Sequence, residues 1–264
     1  MSENFQSNPL LAKVKLPGRV FQLPSRGALY TNGELASSVT NGEIHVHPMS
    51  ALDEIVIKNP DLLFNGSAIE TVFKTCVPDI VKPHELFGRD VDAVMLFLRL
   101  VTYGSNYELH RIHTCDNAKS HSYAVNLEQQ LQTMEYLDPA IITQQYTVDL
   151  GNEQQVLIQP VRYRHLLEIV KLNESKKEFT ADDMQKTLMT NLLNIIKSVD
   201  NVEDKKMIRE WLKVVPAPYI SKIATAIENT NSWGPKLEVK LECRDCGESF
   251  DTEIPINPVS FFTE

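Results

Sequence analysis

The segment from Val91 to Val101 limits the folds open to this chain more than any other stretch. Its apolar side chains recur at helical spacing and cover more than one face of the predicted helix: Val91, Val94, Met95, Phe97, Leu98 and Leu100. The segment is too short to span a bilayer, and it contains Asp92 and Arg99. A helix this apolar is buried at the centre of a fold. Other elements of the chain must therefore surround it.

Capping patterns predict further helices before this segment. Ser50 with Asp53 forms a capping box, and Pro60 is expected to stop the helix that follows. Ser67 with Glu70 repeats the pattern. Four more helices are predicted in the second half of the chain, at 163–172, 180–199, around 207–211 and around 220–227. The second of them begins with Thr180 and Asp183 as a capping box.

Strands are predicted near both ends and in the middle. They lie at 14–16, 44–46, 107–114 and 122–127, in a hairpin over 147–158 that turns at Gly151-Asn152, and in the tail over 237–262. The expected class is α+β, with a helical centre, a β-rich N-terminal segment and a C-terminal zinc-ribbon-like β element. The predicted segments are 1–48 (β-rich), 49–106 (helical), 107–160 (hairpins with Cys115), 161–232 (helical) and 233–264 (ribbon-like).

The charge balance and the apolar runs narrow the class of partner. The net charge is −9, and no block of Lys and Arg forms the basic stripe that phosphate contacts require. No apolar run is long enough for a transmembrane helix, and the N-terminus lacks the pattern of a signal peptide. We therefore expect no nucleic-acid partner, no membrane and a cytoplasmic origin. In a reducing compartment, four cysteines are thiols or metal ligands rather than disulfides.

The sharpest local motif is Cys243-x-x-Cys246-Gly247, which lies between two predicted strands. Two thiolates at this spacing occupy two corners of a tetrahedral zinc site, and the glycine allows the tight turn. A thioredoxin-type role is disfavoured, because that motif opens a helix. A closed structural site needs four ligands, and the sequence holds no second Cys-x-x-Cys.

We look for the other two ligands in the turn that follows Ile112. The sequence around this turn is weakly similar to that of the C-terminal tail. Cys115, with His113 or His121, would complete a site with Cys243 and Cys246. The ligand set predicted for one structural zinc is Cys243, Cys246, Cys115 and His121. The alternative is a knuckle without metal. In either case the two cysteine-bearing turns are expected to lie close together, because an isolated hairpin is marginal in water.

No complete catalytic constellation is visible. The chain lacks a nucleophile elbow, a Walker loop, the Rossmann glycines and a His-Glu-x-x-His helix. We expect no enzyme activity. Two other hypotheses stay open. The first is a zinc-ribbon regulatory or adaptor protein, which the acidic net charge disfavours. The second is a hydrolase using His113, Cys115 and an acid, but the sequence shows no residue at a characteristic spacing that would orient them.

The N-terminal stretch Leu23-Pro24-Ser25-Arg26-Gly27-Ala28-Leu29-Tyr30 resembles the opening of a family of baseplate proteins from contractile-tailed, T-even-type bacteriophages. Further similar stretches follow in order: Met49 to Glu54, Asn59-Pro60, Gly66 to Ile69, Cys76 to Asp79, Leu98-Arg99 with Thr102 to Gly104, and Pro258 to Phe262. The chain departs from a pattern with two cysteine knuckles, because Asn117 and Ala118 stand where a second cysteine after Cys115 is expected.

This resemblance implies a subunit or an assembly factor of the central hub of the baseplate. Its partners would be other phage baseplate hub proteins. Its location would be the host cytoplasm during assembly and the tail baseplate of the virion. The loop Leu23–Tyr30 and the aromatic pair Phe261-Phe262 are expected contact elements, since exposed aromatics near termini often mark interfaces. For Phe261-Phe262, packing back onto the ribbon is the alternative.

Overall fold

The computed structural model describes residues 17–115, 119–138, 140, 142, 146–151, 153–173, 180–230, 232–256 and 261–262. The predicted strand at 14–16, the turn residue Asn152, and Asn117 and Ala118 lie outside the described residues. The α+β class is confirmed: helices alternate with small antiparallel sheets. Among the described residues, no helix has both the length and the apolarity needed to cross a membrane.

The first half of the chain surrounds one long helix. Its elements are β1 (Arg19–Gln22), β2 (Glu43–Val46), α1 (Ala51–Ile57), α2 (Pro60–Phe64), α3 (Ser67–Cys76), α4 (Gly88–Tyr103), β3 (Asn106–Ile112), β4 (Ser120–Asn126) and α5 (Leu127–Gln132). A 3₁₀ turn, Pro83–Glu85, precedes α4. Strands β1 and β2 pair antiparallel, as do β3 and β4.

Over its described residues, the second half adds a three-stranded sheet, four helices and the terminal hairpin. Its elements are β5 (Thr147–Gly151), β6 (Gln154–Ile158), α6 (Tyr163–Asn173), α7 (Ala181–Ile195), β7 (Ile196–Val199), α8 (Lys205–Val214), α9 (Ala217–Thr230), β8 (Glu238–Glu242) and β9 (Ser249–Glu253). The sheet order is β5-β6-β7, and every pairing is antiparallel. Strands β8 and β9 form a separate hairpin.

Helix α4 lies at the centre of the larger core, as the sequence predicts. Every residue from Ala93 to Leu100 is buried. Side chains from β1, β2, α3, β3 and β4 pack around it, and so do Ile254, Phe261 and Phe262 from the C-terminal end. A second core joins α7, α8 and α9 to the three-stranded sheet and includes Trp233. The predicted division into five segments remains a prediction.

Two capping predictions are confirmed and a third, at Ser67, is wrong. Ser50 with Asp53, and Thr180 with Asp183, form complete capping boxes. Ser67 does not cap α3: the N-cap is Gly66, which takes a left-handed conformation with φ of 84°. The predicted stop at Pro60 is confirmed, because α1 ends at Ile57. Pro60 itself begins α2, since proline fits the first turn of a helix.

The helix predicted over 180–199 ends four residues early. Residues Ile196–Val199 form β7, which pairs with β6. Two of the four are β-branched, and Ser198 is buried in the sheet. The β6 edge offers backbone pairing and apolar neighbours, and these tertiary contacts favour the strand over continuation of the helical period.

The two expected contact elements prove to be largely internal. In the loop 23–30, Leu23 and Ser25 are fully buried. The Asp90 carboxylate accepts hydrogen bonds from the backbone N–H of Ser25 (3.0 Å) and the hydroxyl of Tyr30 (2.6 Å). Phe261 and Phe262 are also fully buried. The Phe261 ring contacts the rings of Phe262 and of Tyr107 on β3, so both side chains pack inward, in the larger core.

Candidate metal centre

The turn between β8 and β9 forms a tight knuckle, here called the C-terminal knuckle (residues 243–247). The Cys243 N–H donates to the carbonyl of Glu248 (2.8 Å), and the Gly247 N–H donates back to the carbonyl of Cys243 (2.8 Å). Gly247 has φ of 76°, a conformation that glycine adopts without steric cost. The turn therefore holds Cys243 and Cys246 close to each other, with Cys243 buried and Cys246 exposed.

The second cysteine-bearing turn follows β3. The Cys115 N–H donates to the carbonyl of His113 (3.0 Å), so this short stretch is itself a turn. Both side chains are half-buried. Strand β4 begins at Ser120 and returns beside β3 in a register that places Arg111 opposite His121.

The two turns meet. One ligand atom from each of His113, Cys115, Cys243 and Cys246 lies within 4.8 Å of the other three. Within this group, His113 Nδ1 lies 3.5 Å from Cys246 Sγ across the two turns. The prediction that Cys115 comes close to Cys243 or Cys246 is confirmed. The histidine of this group is His113, the alternative that the sequence left open.

His121, which the predicted ligand set included, makes a different contact. Its Nε2 lies 2.7 Å from Oδ2 of Asp245, a residue of the C-terminal knuckle. The Lys119 N–H donates to the same carboxylate oxygen (3.3 Å). The hydrogen bond with His121 holds the pKa of Asp245 below its usual range. This contact ties the two turns together beside the Cys–His cluster.

Aromatic packing and one arginine hold the hairpins β3–β4 and β8–β9 together. The Phe250 ring stacks on His113 with centroids 4.8 Å apart and meets the Tyr123 ring edge-on at 6.0 Å. The Arg111 guanidinium donates to Thr252 Oγ1 (2.8 Å) and to the Glu253 carbonyl (2.6 Å). His113 is therefore oriented by a ring from the opposite hairpin as well as by its own turn.

The electrostatics of the cluster favour a thiolate. The backbone N–H of Cys246 is the main cause that lowers the pKa of Cys243 to about 7, and His113 and the Asp245 N–H act in the same direction. Burial of the thiol opposes these hydrogen bonds by raising the pKa. The thiolate is the form that binds metal, so the turn prepares Cys243 as a ligand.

The donor set fits a metal ion. Three cysteine sulfurs and one imidazole nitrogen form one of the standard sets for tetrahedral structural zinc. Ligand atoms around such an ion stand about 3.5–3.8 Å apart, so the cluster needs a contraction of roughly 1 Å at most. A bound ion would link two hairpins that are more than a hundred residues apart in the sequence.

The spacing His113-x-Cys115 is the sequence signal for this histidine. The turn that follows β3 brings both of these side chains to the cluster. The remaining cysteine, Cys76, is buried in the larger core, and burial raises its pKa to about 12. His45 is exposed and hydrogen-bonds with Asp79 at 2.9 Å.

Fold and site together define an α+β protein in which a Cys–His cluster joins two distant hairpins. A family model described as "T4 bacteriophage base plate protein" matches residues 49–263, and the chain belongs to this family. The match covers the long central helix and both cysteine-bearing turns. No curated protein and no solved structure gives a significant match.

Proposed function

We propose that this protein is a structural or assembly protein of the central hub of the phage tail baseplate. It would act through protein–protein contacts, with other hub proteins as partners and without turnover chemistry. The observation that carries the proposal is the family match over 49–263, which assigns the chain to the baseplate. The ordered motifs from Leu23 to Phe262 support the narrower assignment to the hub.

The Cys–His cluster fits this role as a structural staple. We propose that His113, Cys115, Cys243 and Cys246 hold one zinc ion. Binding energy at such a site adds directly to folding stability, because the unfolded chain has no preformed site. The metal would fix the terminal hairpin against β3–β4. Arg111 of β3 already connects the two hairpins, because it hydrogen-bonds with Thr252 and Glu253 of β9.

The zinc-ribbon adaptor hypothesis differs in the partner that it requires. An adaptor that reads nucleic acid needs a basic surface, and this chain carries a net charge of −9. The acidic balance instead favours encounter with basic protein surfaces. A filter-binding assay with DNA at low salt separates the two, and we expect no retention of DNA.

Co-expression with the hub proteins of the same phage tests the proposed function. We expect the full-length protein to co-purify with at least one of them in metal-replete buffer. Failure to co-purify with any of them, in both metal-replete and metal-free buffer, would reject the hub assignment. Mass spectrometry of purified mature particles then separates a resident subunit, present in the particle, from an assembly factor, absent from it.

A further inference from the structure

An open apolar groove runs between α2, α4 and α6. Its volume is about 570 Å³. Its walls carry mostly aliphatic and aromatic side chains, among them Leu63, Phe64, Leu166, Leu167, Val170 and Ile256. Leu166 is 43% exposed and Val170 is 46% exposed, so apolar surface faces the solvent along this helix.

Two glycines fix the wall formed by α6. A Cβ at Gly66 would lie 2.3 Å from Leu167 Cδ1, and a Cβ at Gly88 would lie 3.1 Å from Leu166 Cδ1. Leucine side chains of α6 therefore pack directly against the backbone at the N-terminal ends of α3 and α4. This close packing fixes the position of the wall.

Asp92 is the only charged residue among the described residues that line this groove. It is half-buried, and within the described part of the chain no hydrogen bond or ion pair reaches its carboxylate. Burial raises the pKa of Asp92 to about 6, against the charge of Arg89, which lowers it, while Asp90 raises it further. A charged carboxylate at a buried, apolar position lowers the stability of the fold unless a cation pairs with it.

We propose that this groove docks a segment of another tail protein that presents a Lys or Arg between apolar side chains. The apolar walls would bury the flanking side chains, and Asp92 would pair with the cation. Charge complementarity selects this occupant, because the groove offers one unpaired carboxylate and no described cation on its lining. The inference rests on the proposed function, in that it takes the partner from the proteins of the same phage tail.

Overlapping peptides that cover the tail proteins of the same phage provide the probe. The full-length protein is tested against them beside two groove variants, Asp92→Asn and Val170→Glu. Each has a matched control outside the groove: Glu228→Gln, at an exposed position of α9, and Leu172→Glu, on α6 but not on the lining. Thermal melts confirm that all four variants fold.

We expect the wild type to bind peptides in which Lys or Arg is flanked by apolar residues. Affinity for these peptides should fall by about tenfold or more in both groove variants. The reason is that a buried charge pair and the apolar side chains around it slow dissociation of the complex. The two controls should bind as the wild type does. Replacing the basic residue of a bound peptide with norleucine should abolish the difference between wild type and Asp92→Asn.

Three results would overturn the inference. The first is binding of no peptide, or of peptides whose affinity is unchanged in both groove variants. The second is self-association of the wild type that the groove variants abolish, which would make a second copy the occupant. The third is capture of a peptide with the sequence of residues 1–16, which would make the occupant part of this chain. The hub assignment is judged separately, by co-purification of full-length proteins.

Discussion

Arg99 and Phe261 lie 162 residues apart, and Arg99 Nη1 donates a 2.7 Å hydrogen bond to the carbonyl oxygen of Phe261. The guanidinium also lies over the Tyr103 and Tyr107 rings, at 4.6 and 5.2 Å from their centroids. The C-terminal end of the chain is thereby attached to the central helix. A polar residue in the most apolar helix is explained by this contact.

Removal of the Phe261 side chain should destabilise the whole protein. We expect Phe261→Ala to lower the free energy of unfolding by about 3–5 kcal/mol, because a fully buried ring leaves a cavity between α4 and β3. Urea denaturation followed by circular dichroism measures the change. Lys186→Ala, at an exposed ion pair, serves as control and should change stability by less than about 1 kcal/mol. A similar small loss for Phe261→Ala would show that the C-terminal end is not part of the core.

The contact between Gly66 and α6 predicts a specific cost for alanine. Gly66→Ala places a methyl group 2.3 Å from Leu167 Cδ1 and also forces alanine to a φ of 84°. We expect a loss of about 2–4 kcal/mol, from steric overlap together with backbone strain. Gly33→Ala is the matched control: its φ is 70° and no atom lies within 4 Å of the added methyl. Backbone strain alone should cost it about 1–2 kcal/mol. Equal losses for the two variants would mean that α6 does not pack on Gly66.

The Cys–His cluster predicts one bound zinc per chain. Elemental analysis of protein purified without added chelator should find about one equivalent, and Cys243→Ser or Cys115→Ser should lose it. Loss of the metal should lower the melting temperature substantially, because structural zinc contributes folding free energy. His121→Asn is the control and should retain the metal, since His121 contacts Asp245. The contrary result has two parts: the wild type contains no metal, and Cys243→Ser lowers the free energy of unfolding by only about 1 kcal/mol. The knuckle would then be a turn without a metal.

Local signals were sufficient for most of the secondary structure. The capping boxes at Ser50 and Thr180 lie where the sequence predicts them, because a cap needs only residues three apart. The strand Ile196–Val199 could not be found in this way. Its conformation is decided by pairing with β6, some forty residues earlier, and a helical period continues through it in the sequence.

The candidate site was predictable in its cysteines and less so in its other residues. The motif Cys243-x-x-Cys246-Gly247 identifies a knuckle by spacing alone. The choice between His113 and His121 depends on which residue of the other hairpin each side chain meets. In the structure, Phe250 stacks on His113, and Asp245 takes the hydrogen bond with His121. Both contacts join segments that no local pattern connects.

The raised pKa of Asp92 predicts that its carboxylate lowers the stability of the folded protein at neutral pH and does so less as the pH falls. Burial is the main cause that raises its pKa in the folded protein to about 6, against 3.8 for an unperturbed aspartate. At pH 7 the charged carboxylate therefore costs stability, by up to about 3 kcal/mol at 1.36 kcal/mol per unit. Between these two pKa values the folded state binds the proton and the unfolded state does not, so the cost falls as the pH falls. Below about pH 4 it is gone.

Asp92→Asn should therefore be more stable than the wild type at pH 7, and the gain should shrink as the pH falls through 6 and vanish near pH 4. Urea denaturation of both proteins at several pH values measures the difference. Glu228→Gln, at an exposed helical position, is the control and should stay within about 0.5 kcal/mol of wild type throughout. A variant less stable than wild type at pH 7 would show that the Asp92 carboxylate is stabilised by its surroundings. A gain in stability combined with loss of peptide binding would mean that the residue lowers stability in exchange for recognition, as functional sites commonly do.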